Sequence, residues 1–292
     1  MEQDTGHEIV PASVAPGIYY DMPNLTYHRS PGVSKSGLGL CATNPEKYHY
    51  KYILGNQDES KPIFKTGSAF HMATLEPNKF AKEYVLGPDL NKNTNAWKQF
   101  VLDNDGKTVL DVKDYDLVQK MAAKVRKHPI AKNLISKGYA EASVFAIDPE
   151  TGELVKVRPD WITEDVMVDL KSIVDASPSK FFRDMFTYGY HVQAAMYPEV
   201  YNLLEQGPHV DDFVFLCVEK EPPYSVAVYR VSETDRNLGY QNYMRNLRKY
   251  SAYKNANHWP AYNDNLIVDT ELPYWARREE ENLELNDPSA SF

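Results

Sequence analysis

Asp160, Asp169 and Lys171 stand close together near the middle of the chain, with Glu141 a short way upstream. Carboxylates gathered at one place do one of two things. They hold a hard divalent cation through oxygen ligands, as magnesium and manganese prefer, or they pair with neighbouring basic side chains. Lys156, Arg158 and Lys171 are the cations at hand for a solvated salt-bridge ladder. An Asp-x-Lys triplet alone occurs about once in a chain of this size at ordinary residue frequencies. Its meaning therefore depends on where the backbone puts it.

From Tyr139 the hydrophobic period becomes two, and 139–147, 154–161 and 166–171 are predicted as three consecutive strands. Val155, Val157 and Trp161 point to one face of the second strand, and Lys156, Arg158 and Asp160 to the other. In the third, Val166, Val168 and Leu170 oppose Met167, Asp169 and Lys171. A turn centred between Glu164 and Asp165 sets Asp160 across from Asp169 and Trp161 across from Val168. A loop centred between Glu150 and Thr151 sets Glu141 across from Asp160. The carboxylates then form a row over adjacent strands about 4.8 Å apart, with Lys171 on the same face. A one-residue slip would set charges against apolar neighbours. Like charges opposite one another destabilise a sheet, so the row calls for compensation. On the residues alone, a metal ion and a ladder of basic side chains both supply it.

The surrounding elements are legible in outline. Residues 1–32 carry Pro11, Pro16, Pro23 and Pro31 without sustained periodicity and are predicted as an extended arm. Ser34 is a candidate N-cap for a helix running towards Leu54. A short buried helix is predicted over 67–75, ended by Pro77. An amphipathic helix follows over 111–127, with Tyr115, Val118, Met121, Ala122 and Val125 on its apolar face. Helices near 178–186 and 189–205, strands over 213–218 and 225–231, and a long helix over 235–253 complete the order. This pattern predicts an α/β domain with a central mixed sheet flanked by helices. The organisation expected is an arm (1–32), a catalytic domain (33–275) and an acidic C-terminal tail (276–292).

Composition limits the function. The 292 residues are 42% hydrophobic and 25% charged, enough for a substantial core. No apolar run approaches the roughly 20 residues of a membrane span. Cys41 and Cys217 lie far apart without metal-ligand spacing, which points to a reduced, cytoplasmic protein. The formal net charge of −9 weighs against nucleic-acid binding, whose affinity comes mainly from neutralised phosphates. Lys120, Lys124, Arg126, Lys127, Lys132 and Lys137 are nonetheless locally basic, as are Arg245, Arg248, Lys249 and Lys254. Acidic residues concentrate at Glu279, Glu280, Glu281, Glu284 and Asp287. Carboxylates that hold metal ions also lower the net charge while attracting phosphate through the metal.

Pro159-Asp160 followed on the next strand by Asp169-Leu170-Lys171 resembles the PD-(D/E)XK nuclease signature. Together with Gly67-Ser68-Ala69-Phe70-His71 running on to Leu75-Glu76-Pro77, with Glu141, and with Gln193-Ala194-Ala195-Met196-Tyr197, the pattern resembles the RecE-type exonucleases (exonuclease VIII). These are relatives of lambda exonuclease and the RecB nuclease domains. Trp259-Pro260-Ala261-Tyr262 resembles the end of that domain, and the likeness spans roughly 34–275.

The resemblance implies a PD-(D/E)XK nuclease-like fold and a role for each matching residue. Asp160 and Asp169 would ligate magnesium with the Leu170 carbonyl, and Glu141 would complete the site directly or through water. Lys171 would orient or activate the attacking water and stabilise the developing charge. His71 would serve a second ion; by residue type alone it is more often a hydrogen-bonded core histidine. Gln193 would touch the metal-site water or the scissile phosphate. Tyr197, one turn on, is as well explained by packing. Ser34, Ser36, Lys120, Lys124 and Lys127 are candidates for DNA contact. The activity implied is magnesium-dependent digestion of linear double-stranded DNA from the 5′ end, leaving 3′ single strands for recombination. One or two ions per site, substitution by manganese, a homo-oligomeric ring and a single-strand annealing partner go with it, in a bacterial or phage-infected cell.

Three other readings remain open: a single-strand nuclease of the same fold, a restriction-type endonuclease, and a non-catalytic DNA-binding assembly protein. Single-strand nucleases whose iron–sulfur cluster needs four cysteines are excluded by a chain with two.

Overall fold

Pro23 opens a helix rather than extending an arm. In the computed structural model, which describes residues 13–56 and 65–285, Gly17–Tyr19 is a strand (β1) and Asn24–Arg29 a helix (α1). Local periodicity is absent here because the order comes from a distant residue. Buried Lys156 donates from Nζ to the carbonyls of Tyr27, His28 and Ser30 at 2.9, 3.2 and 2.5 Å, satisfying groups that the end of α1 leaves without partners. Residues 1–12 of the expected arm, and 286–292 of the expected tail, lie outside the described residues.

Ser34 caps α2 (Lys35–Thr43), its Oγ accepting the Gly37 N–H at 3.2 Å. The helix expected towards Leu54 breaks at Asn44, because Pro45 forces the preceding residue into an extended conformation. Asn44 then caps α3 (Pro45–Tyr48), which passes into a π-helical turn at His49–Ile53. Helix α4 (Lys65–Leu75) ends before Pro77, which opens α5 (Pro77–Glu83). A small excursion follows: β2 (Tyr84–Leu86), α6 (Asn95–Asp103) and β3 (Thr108–Leu110), with β2 and β3 paired in parallel. Asp111 caps α7 (Val112–Lys127), which buries Val118, Met121, Ala122 and Val125 as its period predicts, and α8 (Pro129–Leu134) closes this half.

The three strands expected after Tyr139 are five. They are β4 (Tyr139–Ala140), β5 (Ser143–Ile147), β6 (Leu154–Val157), β7 (Trp161–Ile162) and β8 (Val166–Ile173). The expected registers hold. Val144 faces Val157 and Ala140 faces Trp161 about the Glu150–Thr151 loop, and Trp161 faces Val168 about Glu164–Asp165. What breaks the strands is a transfer between sheets. β5 and β6 belong to a three-stranded sheet with β1, whereas β4 and β7 belong to a five-stranded sheet. The change occurs at Glu141, which has φ 53°, and across from it at Pro159 and Asp160, between β6 and β7.

The chain continues through α9 (Pro178–Thr187) and α10 (Tyr190–Asn202) to β9 (Asp212–Glu219), which pairs with β8 in parallel. β10 (Val226–Arg230) completes the order β10-β9-β8-β7-β4, a mixed sheet. Long α11 (Glu233–Ala256) packs on α10 so closely that a Cβ at Gly239 would lie 2.1 Å from the His191 carbonyl oxygen. Trp259 then stacks on Tyr48 at 5.6 Å, and α12 (Tyr274–Leu285) follows.

Two cores flank the large sheet. One joins Met167, Phe213, Phe215 and Cys217 to α2, α10 and α11; the other joins Val168, Leu170, Leu216 and Val218 to α4 and α7. This corrects the face assignment from alternation. Val155 and Val157 lie in the first core and Trp161 in the second, because the ladder changes sheets between them. The face carrying Asp169 is not solvated either, since Met167 and Asp169 are both buried. Among the described residues, no helix is long and apolar enough to cross a membrane.

Candidate active site

The site forms where the ladder opens. In the register that pairs Trp161 with Val168, Leu170 stands opposite Pro159, which has no N–H to give. That leaves the Leu170 carbonyl without a strand donor, while the Leu170 N–H donates to the Asp160 side chain, whose Oδ2 accepts it at 2.7 Å. Across the other strand, the Glu141 N–H donates to the Asp160 carbonyl at 3.1 Å, so these two acids are neighbours as their register predicts. Glu141 holds the left-handed conformation that a residue with a Cβ adopts at a cost of order 1–3 kcal/mol. That conformation re-aims its side chain.

A third donor arrives from outside the sheet. Helix α4 presents His71 with Nδ1 3.5 Å from Asp160 Oδ2. Ligand atoms of His71, Glu141 and Asp160 all lie within 4.8 Å of one another. Burial pushes the His71 pKa down, against the pull of Glu141 and Asp169, and the Leu170 carbonyl is its hydrogen-bond partner. Its imidazole is therefore available as a neutral ligand. Burial, with Asp169 and Glu141 beside it, drives the Asp160 pKa well up. A pocket that makes a carboxylate this unwilling to ionise is one that a cation would relieve. Two carboxylates and a neutral imidazole, with a backbone carbonyl adjacent, suit a hard or borderline divalent ion.

Asp169 faces another way. It pairs with Lys171 at 2.5 Å and accepts a hydrogen bond from Gln193 Nε2 on α10. Lys171 lies 4.9 Å above the Tyr190 ring. Despite burial, the pull of Asp169 and Asp160 raises its pKa, so it stays protonated. The expected row thus divides in two, a His71–Glu141–Asp160 trio whose ligand atoms converge and an Asp169–Lys171–Gln193 unit.

The expected ladder of basic residues is realised only in part. Arg158 donates to Glu141 at 2.8 Å, to the Met22 carbonyl at 3.0 Å and to Ser143 Oγ. Lys156 lies beside it, also over the Tyr27 ring, but is buried and bonded to α1 rather than to the acids.

All of these groups lie in or beside a cleft of about 850 Å³. Its wall includes Ser34, Ser36 and Tyr197, as three of the candidate DNA-contact residues would require. Lys120, Lys124 and Lys127 do not line it. They are exposed on α7, and Lys120 is paired with Asp116 at 2.6 Å. Lys35 is in the wall and was not anticipated. Its Nζ donates to the Tyr188 carbonyl, and burial with the charge of Lys171 holds its pKa down to about 8. The signal available in the sequence was a lysine between two serines at a helix start.

Residues 41–267 match the family described as a PDDEXK-like domain of unknown function (DUF3799). The chain belongs to this family. The PDDEXK-like assignment agrees with the site, where Pro159-Asp160 lead into β7 and Asp169-Leu170-Lys171 lie on the adjacent β8. The fold is shared with the crystal structure of a "Putative exonuclease" from Eubacterium rectale. That comparison covers 88% of this chain and 97% of the other, with a TM-score of 0.56 and 15% identity. No curated protein matches the sequence.

Proposed function

We propose that this PDDEXK-like protein is a magnesium-dependent exonuclease acting on ends of linear double-stranded DNA. The observation that carries the reading is the meeting of His71, Glu141 and Asp160 within 4.8 Å beside the Asp169–Lys171 pair, in one cleft. His71, Glu141 and Asp160, with the Leu170 carbonyl and Asp169 adjoining, would hold the cation. When bound, such an ion lowers the pKa of water and polarises a phosphoryl oxygen.

The chain's own groups supply the rest. Lys171 is kept protonated, so its part is to donate a hydrogen bond and positive charge to the phosphorane oxygens. Gln193 and Asp169 fix the position of that ammonium, and Arg158 holds Glu141 at the mouth of the trio. Lys35, Ser34 and Ser36 offer donors to phosphate oxygens along the cleft. Attack from the 5′ end, a ring assembly and a single-strand annealing partner extend this reading through the resemblance to RecE-type exonucleases.

End-labelled linear duplex incubated with magnesium tests it, with closed circular DNA and single strands in parallel. Wild type should digest the linear duplex from one end, while Lys171→Ala and Asp160→Ala should not. Equal digestion by all three would remove the site assignment. Cutting of closed circles would instead indicate an endonuclease, and no digestion with either magnesium or manganese a binding protein.

A further inference from the structure

The strand that carries Asp169 and Lys171 leads directly into α9, whose aromatic residues occupy two environments. Phe181 is buried, its ring stacked on Tyr229 with centroids 4.1 Å apart. Phe182 and Phe186, one turn apart, lie on the outer face at 56% and 82% exposure, and Arg183 is exposed between them. Tyr188, in the turn before α10, is 56% exposed. An amphipathic helix ordinarily turns polar residues outward. Core packing accounts for Phe181 but not for its two exposed neighbours.

This surface is continuous with the cleft. The Tyr188 carbonyl accepts the Lys35 Nζ hydrogen bond, and Lys35 lines the cleft wall. The Tyr188 ring lies 5.7 Å from that of Tyr190, which in turn lies 4.9 Å from Lys171 Nζ. A track of aromatic rings accompanied by cations thus leads from Lys171 outward. Such a track fits an unpaired nucleic-acid strand, whose bases stack on ring faces while its phosphates meet cations. A paired duplex keeps its base faces covered and offers no such contact.

We propose that Phe186 and Tyr188, flanked by Arg183, form a stacking platform for unpaired bases of the strand held in the cleft. The proposal rests on the nuclease reading and adds a contact that neither the metal trio nor Lys171 provides.

Fluorescence anisotropy with a labelled single strand and a blunt duplex of the same sequence tests it, with calcium replacing magnesium. Phe186→Ala and Tyr188→Ala should each weaken single-strand binding about tenfold and change duplex binding little. Phe186→Trp and Tyr188→Trp should restore it, because indole also stacks. Both positions are exposed, so thermal midpoints should match wild type. Unchanged single-strand affinity in both alanine variants would overturn the platform. If light scattering also showed loss of an oligomer, the surface would be a contact between copies. Were wild type to digest DNA while these variants bound normally, only the platform would fall. Were wild type neither to bind nor to digest DNA, the nuclease reading would fall with it.

Discussion

Asp160 and Leu170 are joined by a hydrogen bond in which a side chain replaces a strand partner. Asp160 Oδ2 accepts the Leu170 N–H at 2.7 Å, in the register that sets Leu170 opposite Pro159. The same proline cannot donate to the Leu170 carbonyl, which instead meets His71. The N–H and the carbonyl of Leu170 thus both turn to side chains, Asp160 and His71, which brings those two groups together.

Asp160→Asn separates the structural use of this carboxylate from the chemical one. The amide oxygen can still accept the Leu170 N–H, so the variant should unfold within about 1 kcal/mol of wild type. Its nuclease rate should fall by a factor on the order of 10²–10³ or more, the scale for removing a transition-state charge contact. A folded variant with wild-type activity would show that the charge has no chemical role.

Metal binding should be visible without catalysis. An ion that binds only the folded chain stabilises it by about 2.7 kcal/mol at a hundredfold excess over Kd. Magnesium or manganese should therefore raise the thermal midpoint of wild type, and a chelator should reverse the rise. In Asp160→Asn and His71→Ala the rise should need higher metal concentrations. An identical titration in all three would remove these residues from the ligand set.

Arg158 is the next point of attack. Replacing it by Met leaves Glu141 without its partner and the Met22 carbonyl without its donor. A loss of about 2–4 kcal/mol in urea unfolding is expected for such a buried arrangement. Because Glu141 also lies among the potential ligands, divalent metal should recover part of that loss. A variant as stable as wild type would mean that Arg158 does not hold the acid in place.

Lys156 carries a pH signature. Burial holds its pKa down to about 8, below the ordinary lysine value of 10.5. Between those values the folded chain binds fewer protons here than the unfolded one, so this residue's contribution to stability rises with pH across that window. Urea unfolding of wild type and Lys156→Met at pH 7.5 and 9.5 isolates it. Moving from the lower to the higher pH, stability should shift towards wild type by something on the order of 1–3 kcal/mol. A constant gap would mean that the ammonium titrates as if in water.

Much of the sheet was readable because strand chemistry is local. Alternation located the strands, and apolar matching set both hairpin registers, so Glu141 beside Asp160 followed from the residues alone. Ser34 was recognisable as a cap, since it needs only its own oxygen and an amide two or three residues on. Where Lys120, Lys124 and Lys127 lie relative to the cleft was not readable, because a charged helix face does not reveal which neighbour it turns towards; they do not line it.

The residues themselves determined which groups could do this chemistry and which neighbours they would have along a hairpin. Tertiary structure alone decided how those groups divide. The shift between sheets at Glu141 and Pro159, the approach of α4 with His71 and the packing of α10 with Gln193 are contacts between segments far apart in the chain. They convert an expected row of carboxylates into a His71–Glu141–Asp160 trio and a separate Asp169–Lys171 pair. The reason is physical: a pleat has period two whatever surrounds it, but a buried charge takes its partner from whichever element packs against it.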